Sequence, residues 1–302
     1  MNNIGESIKT KIKNLAREQK LSVDFVQKRY VNERLLGRLQ YTKWADKFCL
    51  KGGMMIPVLN QGDMYRPTTD IDFNGVGTGD ISVLKEMIKD IFELKPISEG
   101  GTLPYDDGLV FLEDTVSVSK EREGIIPGGK IEFDVKLSTS RIKMRVDVGF
   151  GNPVIPSMEK SNYPSMLSND KKNPLPQPKV LMYSPYSMVA EKFHAIVQFG
   201  LYNTRIRDYY DLYFLTTHMD LDSKITSKAI NETFKKQERI LPEHIEGLSD
   251  EFAKENEKQW KRYISNSDLS LEVPSLIEVI NTIRNKLEPA INLSLVEQKS
   301  TI

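Results

Sequence analysis

The sequence predicts an α+β fold, in which helices come before and after a group of β-strands. Apolar residues recur at helical spacing in the first 49 residues and again after residue 184. Between these regions, residues 131–137 and 141–150 alternate apolar and polar side chains, which is typical of strands with one buried face. Because the strands are grouped and do not alternate with helices, the pattern favours an α+β layer over a repeated βαβ unit.

Residues 6 to about 49 are predicted to be helical. Two sets of apolar residues recur at the spacing of one helix face: Ile12, Leu15 and Ala16, and then Val31, Leu35, Leu36 and Leu39. The Lys, Arg and Glu residues of segment 32–50 indicate a solvated face. We therefore interpret this region as a helical packing layer.

The pattern changes at Gly52-Gly53, where the helical spacing is interrupted. The segment Asp70–Phe73 alternates with a period of two, and Asp80 is placed to cap a helix through Phe92. Strand-like runs follow at residues 109–112, 115–119, 131–137 and 141–150.

The second half of the chain begins with a proline-rich connection. Six prolines between Pro153 and Pro178 predict a loop with short extended pieces. Ser184-Pro185 predicts the start of a helix that ends at Gly200, and Asn203 is predicted to cap a further helix through about Thr216. We predict two domains, residues 1–180 with a helical lead-in (1–49) and a helical C-terminal domain (181–302).

The composition limits the classes of function. The 42 basic and 42 acidic side chains cancel, so any affinity for nucleic acid or membrane must come from local patches. One cysteine, Cys49, excludes internal disulfides, and three histidines argue against a histidine metal site. No apolar run approaches the ~18 residues of a membrane span, and the N-terminus lacks a signal peptide core. A cytoplasmic location without membrane association is predicted.

Asp70 and Asp72 stand two residues apart, so on a strand their carboxylates project from the same face. Adjacent carboxylates repel unless a cation neutralises them, and a hard divalent ion with oxygen ligands suits them. The preceding Gly52 and Gly53 have backbone N–H groups that can approach a phosphate closely. The alternative is a glycine turn followed by an exposed acidic strand face.

Asp147 offers a third carboxylate, on the polar face of a strand whose other face is apolar. Three carboxylates from neighbouring strands can hold one or two ions, which would orient a triphosphate. Lys143 and Arg145 share this face, so an ion-pair ladder is the alternative. Asp134 on the preceding strand competes for the same role, and we prefer Asp147 mainly because of the resemblance described below.

Lys192 is unusual within the helix that begins at Ser184. Its neighbours three and four residues away are all apolar: Met188, Val189, Ala195 and Ile196. A lysine on an apolar stripe either extends its ammonium group to water or meets a fixed anion, and a triphosphate is a suitable anion. His194 has no partner at metal-ligand spacing and is interpreted as structural.

Two further aspartates follow in the segment NTRIRDYYDL, residues 203–212. Asp208 and Asp211 share a helix face, and Arg207 is placed to reach Asp211 at a spacing of four residues. The pattern is typical of a local salt-bridge network. The functional alternative is that these carboxylates orient Lys192, a base or the acceptor substrate.

Taken together, these segments resemble the AbiEii/AbiGii family of nucleotidyltransferase toxins. The resemblance is carried, in chain order, by FCLKGGMMIPVL, RPTTDIDFNG, MRVDVGFGNPVIP, SPYSMVAEKFHAIVQFG and NTRIRDYYDLYFL. With the lead-in YVNERLLGRLQYTKWADKF, the match covers roughly two thirds of the chain. No single motif is decisive, but five in order are specific.

The resemblance implies a polymerase-β-type nucleotidyltransferase core, a mixed sheet flanked by helices, with a helical C-terminal lobe. It implies Mg²⁺ or Mn²⁺ on Asp70, Asp72 and Asp147, with Lys192 on the phosphates and Asp208 or Asp211 completing the catalytic site. The nucleotide-binding residues that it implies are Lys51, Gly52, Gly53, Thr69 and Lys192. Asn152 and Arg207 depart from the family's usual Asp and Lys, but neither change removes a predicted metal ligand.

The predicted reaction is transfer of a nucleoside monophosphate from an NTP to an acceptor hydroxyl. The resemblance implies the toxin of an abortive-infection, toxin–antitoxin system, opposed by a separately encoded antitoxin. Some relatives are thought to act on tRNA 3′ ends, so RNA is the predicted acceptor. The alternatives are a metal-dependent nuclease and a non-catalytic NTP-binding protein.

Overall fold

The structure is a computed structural model that describes residues 4–77, 79–120, 127–167, 175–267, 269 and 273–301. The chain divides into two compact units. The first unit comprises Met1–Met64, Thr68–Gly151 and Glu159–Met182, and the second comprises Tyr65–Pro67, Asn152–Met158 and Tyr183–Ile302. The segments of the two units therefore alternate along the sequence.

Within the described residues, the first unit forms a seven-stranded mixed sheet in the order β3-β4-β5-β2-β1-β7-β6. The strands are β1 (Phe48–Lys51), β2 (Ile71–Gly75), β3 (Leu109–Lys120), β4 (Gly128–Leu137), β5 (Ser140–Phe150), β6 (Glu159–Asn162) and β7 (Lys179–Met182). The pairs β2–β5 and β1–β7 are parallel, and the other pairs are antiparallel. The central strands β1, β2 and β5 carry the residues of interest.

Helices accompany the sheet and make up most of the second unit, which confirms the α+β prediction. The α-helices are α1 (Ile4–Glu18), α2 (Val23–Leu39), α3 (Ile56–Leu59), α4 (Ile81–Phe92), α5 (Pro185–Phe199), α6 (Ile206–His218), α7 (Ser223–Lys236), α8 (Asp250–Asn266) and α9 (Leu276–Thr301). Short 3₁₀ helices lie at Gly52–Met55, Ile97–Glu99, Gly200–Tyr202 and Glu246–Leu248. No helix in the described ranges is both long and apolar enough to cross a membrane.

Local signals predicted α4 and α5 correctly. The Asp80 carboxylate accepts a hydrogen bond from the Ser82 amide at 2.9 Å and caps α4. Ser184 caps α5, Pro185 is its first residue, and the helix ends before Gly200. The apolar residues of α4 that recur at helical spacing are buried: Leu84, Met87, Ile88 and Ile91.

The prediction of helices to about residue 49 was wrong at its end. Helix α2 stops at Leu39, and Phe48–Lys51 is strand β1. This four-residue segment pairs with β2 on one side and β7 on the other, so contacts distant in sequence decide its conformation. The expected solvated face is absent from α2, where Glu33, Arg34 and Arg38 are buried; Arg34 pairs with Glu33, and Arg38 with Asp107. Beyond the helix, Lys43 and Lys47 are exposed as expected.

Two other boundaries differ from the prediction. The runs 109–112 and 115–119 belong to one strand, β3, whose pairing with β4 is irregular between Leu112 and Ser117. Helix α6 begins at Ile206 and not directly after Asn203. The Asn203 side chain accepts a hydrogen bond from the Arg205 amide at 2.8 Å, which forms a turn ahead of the helix.

Candidate active site

Asp72 lies in a row of charged residues that crosses four strands of the sheet. The strand register pairs Asp72 with Lys51 on β1 and with Asp147 on β5. Asp147 in turn pairs with Lys130 on β4. Since residues in register share a face of the sheet, the two aspartates are neighbours with one lysine on either side.

The apolar residues of β2 and β5 determine which way these aspartates point. Ile71 and Phe73 are at most 1% exposed, whereas Asp72 between them is only partly buried. Val146 and Val148 are equally buried on either side of Asp147. A slip of one residue in either strand would move a carboxylate into the core, so burial of the apolar face specifies the register.

Arg145 binds the Asp147 carboxylate through both of its oxygens. Arg145 Nε donates to Oδ1 at 3.1 Å, and Nη2 lies 2.8 Å from Oδ2. This hydrogen bonding and the charges of Asp147, Asp70 and Glu132 raise the pKa of the Arg145 guanidinium, with its slight burial opposing them. Asp70 is exposed and lies just before β2. Its negative charge also acts on the Arg145 guanidinium.

The carboxylates on β2 and β5 have the ligand chemistry that a divalent ion requires. Asp72 and Asp147 offer oxygen ligands, which Mg²⁺ and Mn²⁺ prefer, from adjacent parallel strands on one face. As the side chains stand, the described residues contain no group of three or more His, Cys, Asp or Glu arranged to hold a metal. Both oxygens of Asp147 are bound by Arg145. The strand register fits an ion, and Arg145 is the group that would have to move.

The predicted Gly52 turn lies directly beside Asp72. Gly52 has a φ of +67°, a conformation that side chains disfavour. A Cβ atom added there would lie 3.0 Å from Cγ of Asp72 and would also collide with the Oδ2 atom. The turn therefore needs glycine for its backbone and for the close approach of Asp72.

Asn32, which was not among the predicted site residues, holds the chain just before β2. Asn32 is fully buried on α2, and its Nδ2 donates to the Thr69 carbonyl oxygen at 2.7 Å. Thr69 immediately precedes Asp70. Because Asn32 lies 37 residues earlier on a helix, no local sequence signal links it to this segment.

Lys192 belongs to a buried ionic cluster of the second unit. Its Nζ lies 2.9 Å from Asp208 Oδ1 and 2.6 Å from Asp211 Oδ2, and its side chain is 14% exposed. Burial alone would lower the pKa of Lys192, but the charges of Asp211 and Asp208 outweigh it and raise the pKa. The fixed anion predicted for this lysine is therefore present as two carboxylates of the protein, which orient its ammonium group.

Arg66 is the other main partner of Asp211, in place of the predicted Arg207. Arg66 Nε and Nη2 donate to the two Asp211 oxygens at 2.6 and 2.8 Å, and the Tyr65 hydroxyl donates at 2.7 Å. Burial would raise the pKa of Asp211, but Lys192 and Arg66 hold it well below its usual value. Arg66 was missed because it lies 145 residues from Asp211 in sequence.

Arg205 completes the charges of this cluster, with its Nε 2.7 Å from Asp208 Oδ2. Three cations, Arg66, Lys192 and Arg205, thus meet the two carboxylates of Asp208 and Asp211. An ammonium group has three N–H donors, and two of those of Lys192 are directed at carboxylates.

The geometry of His194 supports its structural interpretation. The side chain is buried and packs edge-on against Phe234, with 5.0 Å between ring centroids. Burial, and then the charge of Arg239, lower the pKa of His194 to about 4. The imidazole is therefore neutral at pH 7.

Comparison with known proteins relates this arrangement to a family. The family model described as "Nucleotidyl transferase AbiEii toxin, Type IV TA system" matches residues 34–282. Among solved structures, MenT4, a nucleotidyltransferase toxin from Mycobacterium tuberculosis H37Rv, is 16% identical with a TM-score of 0.60, over 96% of this chain and 92% of that one. A proposed nucleotidyltransferase from H. pylori is 12% identical with a TM-score of 0.50, over 91% and 98% of the two chains.

At these identities the two solved structures show a shared fold and nothing finer. No curated protein matched the chain. The family model is the stronger finding, because it spans most of the sequence and includes every predicted site residue. The chain belongs to the AbiEii family of nucleotidyltransferase toxins of type IV toxin–antitoxin systems.

Proposed function

We propose that this nucleotidyltransferase moves a nucleoside monophosphate from an NTP to an acceptor hydroxyl, with release of pyrophosphate, and that it depends on Mg²⁺ or Mn²⁺. The observation that carries the proposal is the pairing of Asp72 with Asp147 across β2 and β5. These two residues, together with Asp70, would hold the metal. When bound, a divalent ion lowers the pKa of an attacking hydroxyl and neutralises phosphate charge.

The residues around this pair suit a triphosphate. Gly52 has no side chain, so its backbone lies against the Asp72 carboxylate, and backbone N–H groups of such a glycine turn can approach a phosphate closely. Lys51 precedes that turn and shares the row of Asp72, which adds a positive charge on the same face. We assign Lys51, Gly52, Gly53 and Thr69 to nucleotide binding, with Asn32 positioning Thr69.

We assign Lys192 to binding of the nucleotide phosphates. Asp208 and Asp211 position its ammonium group, and Arg66 and Tyr65 fix Asp211 in turn. The ammonium group of Lys192 has three N–H donors, and its bonds to Asp208 and Asp211 use two of them, so a phosphate oxygen would accept a charge-assisted hydrogen bond from the third. Asp208 and Asp211 act through the lysine, which makes them positioning residues.

We propose an RNA 3′ end, such as that of tRNA, as the acceptor, and an antitoxin protein as the opposing partner implied by the family. The chain has no net charge, so RNA must bind to a local patch. Lys143 supports such a patch, because it is exposed on β5, on the same face as Asp147 and four residues away. Contacts from such lysines to phosphates would orient the RNA without reading its sequence.

The test is a labelling experiment. The purified protein is incubated with total RNA, Mg²⁺ and each of the four labelled NTPs in turn, and we expect label to enter RNA with one or more NTPs. Asp147→Asn should abolish labelling because a neutral amide is a poor metal ligand. Asp134→Asn is the matched control, since Asp134 lies on the same sheet face but pairs with Arg141, and it should retain labelling.

Each other outcome has a distinct meaning. Full labelling by Asp147→Asn would contradict the assigned metal ligands. Shortened RNA without added label would favour a nuclease, and NTP binding without any transfer would favour a non-catalytic protein. Label on protein and none on RNA would keep the transferase reaction but reject the RNA acceptor.

A further inference from the structure

Arg145 is a cation that lies among the carboxylates on and next to β2 and β5. It lies two residues from Asp147 on the same face of β5, and its guanidinium binds both oxygens of that carboxylate. Its register partner on β4 is another acidic residue, Glu132, and the charge of Asp70 also acts on it. One side chain thus compensates several carboxylates at the place where the proposed metal would lie.

This ion pair differs from two similar pairs elsewhere in the chain in its exposure to solvent. In the pairs Arg38–Asp107 and Arg66–Asp211, every side chain is 7% exposed or less. Arg145 is 46% exposed and Asp147 is 31% exposed. Breaking a buried pair leaves an unsolvated charge, whereas water solvates both members of an exposed pair. The Arg145–Asp147 pair can therefore exchange partners at low cost.

We propose that Arg145 is the counter-ion of Asp147 when no divalent ion is bound, that the ion and Arg145 compete for this carboxylate, and that the displaced guanidinium then contacts a phosphate of the nucleotide. The inference rests on the proposed metal site at Asp72 and Asp147. It gives Arg145 one role when the divalent ion is absent, as the counter-ion of Asp147, and another when the ion is bound, as a phosphate contact.

The chemistry of the guanidinium supports both roles. Without a cation, Asp70, Asp72 and Asp147 would repel each other, and a planar guanidinium binds both oxygens of one carboxylate as a lysine cannot. The same donor geometry matches two oxygens of a phosphate. When the ion takes Asp147, Arg145 loses its main partner on β5 beside the place where we assign phosphate binding.

The experiment measures Mn²⁺ binding to the whole protein by electron paramagnetic resonance of free Mn²⁺. Arg145→Gln removes the competing charge, so we expect Mn²⁺ to bind about twofold to fivefold more tightly than in wild type. Arg141→Gln is the matched control, since Arg141 is an exposed arginine on the same face of β5 that pairs with Asp134. Its Mn²⁺ affinity should be unchanged.

A second measurement tests the contact to phosphate. With Mn²⁺ saturating, a non-hydrolysable NTP analogue should bind Arg145→Gln more weakly than wild type, and Arg141→Gln should match wild type. The two affinities of Arg145→Gln thus change in opposite directions, which a general loss of folding would not produce. Arg145→Lys keeps the charge but cannot bind both oxygens, so both of its affinities should lie between those of wild type and Arg145→Gln.

The outcomes separate this inference from the proposed function. If Asp72→Asn abolishes Mn²⁺ binding but Arg145→Gln binds Mn²⁺ no more tightly than wild type, the competition is rejected and the metal site stands. If Arg145→Gln binds Mn²⁺ more tightly with unchanged analogue affinity, the phosphate contact is rejected. Two outcomes would reject the metal site and this inference together. One is Mn²⁺ binding that persists in both Asp72→Asn and Asp147→Asn, and the other is the absence of Mn²⁺ binding in wild type and in every variant.

Discussion

Lys192 shows how one buried charge is compensated in this protein. A lysine among apolar neighbours on α5 needs anions, and Asp208 and Asp211 supply them. Asp211 in turn has Arg66 and Tyr65 as further partners. The sequence could predict that Lys192 needs a fixed anion, because helical spacing is local information. It could not identify Arg66, because only the tertiary fold brings residues 66 and 211 together.

Replacement of Lys192 by Met should destabilise the protein. The two aspartates would lose a shared cation but keep Arg66 and Arg205, so we expect a loss of about 2–3 kcal/mol, less than the ~3–5 kcal/mol of a fully uncompensated buried pair. Acid unfolding should also begin at a higher pH. Asp211 has a lowered pKa, so its contribution is present above its unfolded pKa and is lost as pH falls through the folded one. Without Lys192 that folded pKa rises.

Urea unfolding at pH 7 and over an acid pH series measures both effects. Lys228→Met is the control, since Lys228 is an exposed lysine on α7 in the same unit, and it should change stability by less than about 0.5 kcal/mol. If Lys192→Met is as stable as Lys228→Met, the ionic cluster does not stabilise the fold as described.

At the scale of secondary-structure elements, local signals predicted α4 and α5 well and β1 poorly. Caps and apolar stripes lie within the helices themselves, whereas β1 has four residues and depends on its pairing with β2 and β7. Alternation predicted the face on which Asp72 and Asp147 lie. It could not predict that they are register neighbours, because strand order is determined by long-range pairing.

The turn between β1 and the following 3₁₀ helix provides a test at this scale. Gly52→Ala should abolish nucleotidyl transfer, because its Cβ would displace the Asp72 carboxylate. The positive φ should also cost about 1–2 kcal/mol of stability. Transfer activity and urea unfolding measure the two effects separately.

Gly100→Ala is a matched control for the backbone effect. Gly100 has a φ of +79°, and a Cβ added there meets nothing within 4 Å. It should lose similar stability and keep full activity. Equal activities for the Gly52 and Gly100 variants would show that the close approach to Asp72 has no part in the reaction.

At the scale of the whole molecule, charge is balanced in number but unevenly placed. The 42 cations and 42 anions cancel, yet lysines and arginines are concentrated around the proposed site on β4 and β5. Arg205, another exposed cation, already pairs with Asp208 inside the ionic cluster. Lys143 is therefore the cleaner probe, since its substitution removes an exposed cation and leaves that cluster intact.

Lys143→Ala should weaken RNA binding and reduce its dependence on salt. Each contact to phosphate releases counter-ions, so losing one lowers the slope of log affinity against log salt concentration by about one unit. Binding of NTP should be unchanged. The measurement is RNA affinity over a salt series for wild type and variant. Identical slopes, or affinity that does not respond to salt, would favour a protein or small-molecule acceptor.

The division of the chain between the two units has a genetic consequence. The chain passes from one unit to the other at five places: Met64–Tyr65, Pro67–Thr68, Gly151–Asn152, Met158–Glu159 and Met182–Tyr183. A recombination event at residue 182 between two diverged toxin genes would combine the Tyr65–Pro67 segment of one parent with the Asp211 of the other. Arg66 and Asp211 would then come from different parents, although the two side chains form a buried ion pair. Inheritance of these two residues should therefore be joint, and exchange of residues 183–302 alone should yield functional toxins only between parents that share this pair.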